Sequence, residues 1–158
     1  MRVVAPSREL FEDEVDVLVC GAFEDVRPLR GLAGLVDWDT AGFLSQTLKS
    51  NFWTGARGEP LLFPGRPRLR FHWLVLVGLG QARSFSDSAV SDVIGEIDQA
   101  LLGLGAQTAL IELPGRDCNI ISYDSARSAL DKYSLSSRAL WTLVDSDNAA
   151  LAKEGSHA

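Results

Sequence analysis

Residues 71–80 read FHWLVLVGLG, an apolar run that stops on two glycines one residue apart, as many nucleotide sites begin. A dinucleotide fingerprint needs a third glycine three residues after the second. There the following helix must pack close to the strand and aim its first amides at a phosphate. Arg83 holds that position, and the helix signal starts only near Ser86. No loop of the GxxxxGK type occurs anywhere in the chain. Gly78 and Gly80 therefore read as a tight turn closing a buried strand.

Other chemistries find less. His72 and His157 are the only histidines, neither has a partner at i+3 or i+4, and no CxxC pair exists to hold a metal. His72 reads as a strand residue. A serine hydrolase needs a GxSxG elbow, which is absent. Cys118 follows Arg116, a cation able to lower the thiol's pKa, yet no base can be assigned to it. A structural or incidental thiol is the simpler reading. Asp37/Asp39 and Asp145/Asp147 fall where caps and solvated loops explain them. Trp38, Trp53, Trp73 and Trp141 are too dispersed for a ligand cage, and burial accounts for at least Trp73 and Trp141. The residues predict no catalytic set, no metal site and no cofactor.

Charge narrows the partners. Fifteen basic against twenty-one acidic residues leave a net charge of −6, which repels a phosphate backbone on average. Arg66, Arg68 and Arg70 alternate in GRPRLRF, and on an extended segment they would share one face as protective charge on an edge strand. No apolar stretch reaches the roughly 18–20 residues of a membrane span. The opening MRVVAPSRELFEDE lacks a basic-then-apolar signal, so a cytoplasmic location is expected, with Cys20 and Cys118 reduced.

These residues must be positioned by strands and helices, and the patterning is legible. VDVLVC (15–20) is a buried strand ended by Gly21, and EDVRPLRGLAG reads as a loop. Asp39 looks like the N-cap of a helix running to about Ser50. GEPLLFP (58–64) is a short strand, and Trp73 to Val77 a second buried one. Ser86 or Asp87 can cap a helix whose stripe is Val90, Val93, Ile94, Ile97, Leu101 and Leu104, stopped by Gly103 and Gly105. ALIEL (109–113) is a strand, Asp124 can cap a helix with Ala126, Ala129, Leu130 and Tyr133 inward, and ALWTLV (139–144) is the last strand. Alternating strands and helices, with strands apolar on both faces, call for a three-layer α/β fold with a mixed, largely parallel sheet between helices. One domain is expected over residues 1–147, followed by a flexible tail at 148–158.

The order of these elements resembles the N-terminal domain of the leucyl aminopeptidases, a metallopeptidase family, from about Val15 to Pro114. The most specific pieces are Val36-Asp37 before a helix, the stretch from Trp53 to Glu59, and VLVGLG at 75–80. The resemblance implies a macro-domain-like fold. It also implies that catalysis belongs to a second domain with an NTDAEGR-type metal-binding motif, which this sequence lacks. No catalytic residue carries over. The expected role is that of a free-standing, non-catalytic interaction or assembly module, acting on a protein partner or as a homo-oligomer.

The segment TALIELPGRDCNIISYDSARSALDKY with ALWTLVDSD is similar to the end of a macro domain. That resemblance implies an alternative: ADP-ribose or another nucleotide in the crevice at the carboxyl ends of the strands. Its phosphate loops would match Gly31 to Gly34 and Gly115 to Asn119, with Gly21, Gly34, Gly78 and Gly115 converging there. RGLAG departs from the family's run of glycines, and no adenine-pairing Asp is identifiable near the first strand.

Overall fold

The computed structural model describes residues 2–58, 60–118, 120–134 and 140–146. The expected tail at 148–158 and Asn119 lie outside the described residues. In chain order the elements are β1 (Arg2–Val4), a 3-10 turn (Arg8–Glu12), β2 (Val17–Ala22), α1 (Gly31–Asp39), α2 (Phe43–Lys49), β3 (Leu61–Pro64) and β4 (Trp73–Gly78). A second 3-10 turn (Ala82–Ser84), α3 (Asp87–Leu104), β5 (Thr108–Glu112), α4 (Tyr123–Ser134) and β6 (Leu140–Val144) follow. The strands form one sheet in the order β1-β6-β5-β2-β4-β3, parallel throughout except for β3.

The period of two along each strand divides the core. Val17, Val19, Val75, Val77, Ala109, Ile111, Trp141 and Leu143 face α3 and α4. Leu18, Cys20, Leu74, Leu76, Leu110 and Val144 face the opposite layer, where α1 and α2 supply Leu32, Ala33, Val36 and Leu44. Both faces of the central strands are covered, which is why β2, β4 and β5 read as continuous apolar runs. Asp16 ties their starting ends together: its carbonyl accepts from His72 and Trp73, and its carboxylate accepts from the Gln107 and Thr108 amides. Those bonds, Gln107's foremost, hold the Asp16 carboxyl below its ordinary value. Among the described residues no helix is long and apolar enough to cross a membrane.

Several expectations need correction. The stretch expected as a loop up to Gly34 already contains the first turn of α1. Asp39 ends that helix instead of capping the next, and its carboxylate pairs with Arg8 at 2.6 Å. Asp37 takes the capping role for α2, accepting from the Ser45 amide at 2.9 Å. Between the two helices Ala41 and Gly42 adopt positive φ of 54° and 86°, which turns the chain back. Residues 66–72 form turns, so Arg66, Arg68 and Arg70 do not sit on a strand, and His72 precedes β4. Trp73 is 38% exposed at the start of β4, whereas Trp141 is buried. Ser122, not Asp124, accepts from the first turn of α4, through the Ser125 amide. β1 was not foreseen; its three residues pair with β6 from a distant part of the chain.

The Gly-x-Gly question closes on a backbone crossing. A Cβ on Gly78 would overlap the carbonyl of Ala56, and Gly80, at φ +74°, would direct one at the Arg57 side chain. Gly80 donates to Gly55 O and accepts from Glu24 N, both at 2.9 Å. Arg57 then pins the crossing segment to α3 through Glu96 at 2.9 Å. The glycines admit residues 55–57 over the end of β4.

Gly78→Ala should therefore lower Tm by roughly 6–12 °C, since the obstacle is backbone and cannot rotate away. Gly103→Ala, where a Cβ meets nothing within 4 Å, should raise Tm by about 1–4 °C. Thermal melts monitored by circular dichroism check both, and equal behaviour of the two variants would contradict the crossing argument.

Candidate functional site

In an open parallel sheet the place for a site is the crevice beyond the carboxyl ends of the strands, where helix N-termini present free amides. Here that place is held by Glu112, the last residue of β5 and only 4% exposed. Its carboxylate accepts from the Leu32 amide in the first turn of α1, from the Gly21 amide of β2 at 3.4 Å, and from Ser146 Oγ at 3.1 Å. Arg30, at the N-cap of α1, makes no side-chain capping bond, so an acid from β5 does the capping. Gly31, at φ +58°, has no room for a Cβ because the Glu112 carboxylate, Ser146 Oγ and Asp117 already surround it.

The electrostatics follow from this enclosure. Burial, reinforced by the neighbouring Asp117 carboxyl, pushes Glu112 up to about 8 against the opposing pull of its three hydrogen bonds. Asp117 is raised as well, chiefly by burial. Cys20 lies beneath the same group and is raised by burial and by Glu112. Burial and Asp117 lift the Cys118 thiol to about 11, the reverse of the activation that Arg116 suggested. Arg116 is committed elsewhere, paired with Asp145 at 2.8 Å in a buried ion pair and donating to Ile121 O at 3.0 Å. Among the described residues no three His, Cys, Asp or Glu side chains gather as a metal site.

Of the glycines expected to converge, only Gly21 reaches Glu112, where it meets Gly31 of the expected phosphate loop. Gly34 instead abuts the Leu29 carbonyl and lines a recess of about 530 Å³ with Pro28, Leu29, Trp38 and Ala41. Gly78 lies against Ala56, and Gly115, at φ +80°, against Phe85 and Ile121. Glu112, Asp117 and Ser146 were not foreseen. The one available signal was an acid inside the apolar strand ALIEL.

With this geometry in place, comparison with known proteins is direct. The family model described as the N-terminal domain of the cytosol aminopeptidase family matches residues 19–137. A probable cytosol aminopeptidase of Alkaliphilus metalliredigens is 27% identical over 116 residues, which is 73% of this chain and 23% of that protein. The chain thus spans less than a quarter of the length of the curated relatives it matches. The macrodomain of Thermus aquaticus DarG superposes with a TM-score of 0.71 at 11% identity, covering 90% of this chain and 95% of that one. A tomato leucine aminopeptidase mutant gives a TM-score of 0.61 at 19% identity, covering 91% of this chain and 32% of that one. The three-layer fold is macrodomain-like.

The raised Glu112 pKa fixes the sign of a pH dependence. Its contribution to stability is complete below its ordinary value of 4.5 and is lost as pH rises through about 8. Between pH 5 and pH 9 the wild-type chain should lose on the order of a few kcal/mol of stability through this group, and Glu112→Gln should flatten that decline. Urea unfolding of both proteins across this range is the check; parallel pH profiles would show that Glu112 is not the group responsible.

Proposed function

The chain belongs to the cytosol aminopeptidase family through its N-terminal domain, and from that premise we propose that it is a non-catalytic interaction or assembly module that binds protein. The match is confined to the N-terminal part of the relatives, and no position here answers to their metal-binding motif. The relatives are cytosol aminopeptidases, which supports a cytoplasmic setting.

The observation that carries this reading is the outward placement of large aromatics around the α1–α2 layer. Trp38 is 75% exposed at the rim of the Pro28–Ala41 recess, and Phe52, just past α2, is 70% exposed. Phe52 continues inward through Phe63, 6.4 Å away, to Phe43 at 5.1 Å from Phe63, so it is the outer end of an anchored aromatic series. An aromatic ring buried at an interface removes on the order of 150 Å² from water, worth about 4 kcal/mol before the cost of association. Trp and Phe on rigid supports are suited to be the anchors of a protein contact.

The alternative, a nucleotide in the crevice, meets an obstacle. A phosphate would need the amides at the start of α1, and one of these, that of Leu32, already donates to the buried Glu112 side chain. That is why the protein-binding reading is preferred.

Sedimentation velocity of the full chain, alone and mixed with a cytosol aminopeptidase catalytic domain, tests the proposal. Self-association or a mixed complex is expected, weakened at least about tenfold by combining Trp38→Ala with Phe52→Ala. A strict monomer at about 100 µM that also ignores the catalytic domain, or a complex indifferent to both substitutions, would refute it.

A further inference from the structure

A second cavity, of about 460 Å³, opens between the first 3-10 turn and the turns of residues 67–70. Its lining carries both charge signs. Glu9 and Glu12 lie three residues apart on the 3-10 turn, a spacing that puts them on the same side of it. Arg68 and Arg70 border the same cavity. Two further charges of the lining, Arg8 and Asp39, neutralise each other at 2.6 Å.

The remaining four have no such partners. Among the described residues none of Glu9, Glu12, Arg68 and Arg70 makes an ion pair within 4.0 Å, although all four border one cavity. The guanidinium groups are nonetheless held in place. Arg68 lies 4.8 Å over the Phe43 ring, and Arg70 donates one bond to the Glu12 carbonyl at 3.3 Å. Both keep N–H groups unspent, because a guanidinium carries five. Phe11 and Leu69, both buried, also belong to the cavity lining. Two arginines and two glutamates that border one cavity without an ion pair among them suit a ligand that carries both signs on a small frame.

We propose that this cavity binds a small zwitterion, with its carboxylate on Arg68 and Arg70 and its ammonium on Glu9 and Glu12. The inference does not rest on the protein-docking reading and concerns different side chains. A cavity of this volume accommodates an amino acid or a short peptide, and Phe11 and Leu69 in its lining can meet an apolar side chain.

The experiment is an NMR chemical-shift titration of the full chain with glycine, glycylglycine, acetate and methylammonium, at constant ionic strength. The two zwitterions should shift the amides of residues 8–12 and 67–70 and bind with Kd of about a millimolar, while acetate and methylammonium bind at least about tenfold more weakly. Glu9→Gln with Glu12→Gln should weaken zwitterion binding at least about tenfold, as should Arg68→Gln with Arg70→Gln. The glutamates lie on an exposed turn, so their double variant carries the test should the arginine variant unfold. The proposal fails if neither zwitterion binds at about 20 mM, if acetate alone binds as tightly, or if binding survives the glutamate double variant.

Discussion

A single carboxylate, that of Glu112, joins four parts of the chain. It ends β5, accepts from the backbone of β2 and of α1, and receives the hydroxyl of Ser146 just beyond β6. A buried acid without donors would be a severe defect, so these partners and the carboxylate specify one another. The consequences spread outward. Position 31 must be glycine, α1 can begin without a local cap, and the first turn of that helix is held against the sheet. The balance is close, because burial and Asp117 oppose ionisation while three hydrogen bonds favour it. At this end of the sheet, among the described residues, the Glu112 side chain takes amides of α1 and β2.

The same interaction explains what could and could not be read in advance. The period-two burial of the strands and the long stripe of α3 are local signals, and they were enough for the three-layer architecture and for most element positions. Gly105 ended α3 as expected, adopting φ +64° and donating to the carbonyls of Leu101 and Leu102. α1 failed as a reading because its capping acid lies 80 residues from the amide it serves, beyond any local window. β1 failed for a related reason: three residues are too few to show a period, and they become a strand only because β6 is there to pair with them. The arginine alternation in 66–70 looked like a strand, but Leu69 and Phe71 turn inward to the core and Gly65 accepts from Leu69, so the segment curls.

The candidate site was less legible than the fold. Glycine positions mark where backbone must come close, but they do not say what approaches. Gly78 admits another backbone segment, Gly31 admits a carboxylate, and Gly115 packs on Phe85 and Ile121. The sequence offers three similar-looking glycines for three unrelated reasons. Cys118 illustrates the same limit for charge. Arg116 is two residues away in sequence, yet its guanidinium is spent on Asp145, and burial together with the adjacent Asp117 raises the thiol's pKa.

Where polar groups are satisfied and where they are not then becomes the guide to function. Among the described residues of the crevice, Glu112 is matched with two amides and a hydroxyl, and the buried Arg116–Asp145 pair fixes the adjoining loop. A site whose donors are already taken has little left to offer a ligand, because any newcomer must compete with an internal group at full effective concentration. The unspent capacity lies on the periphery, in the Trp38 and Phe52 rings and in the charges across the Arg68–Glu12 cavity. These groups are held by rigid neighbours, Phe63 beneath Phe52 and Phe43 beneath Arg68, so little ordering cost stands between them and a partner.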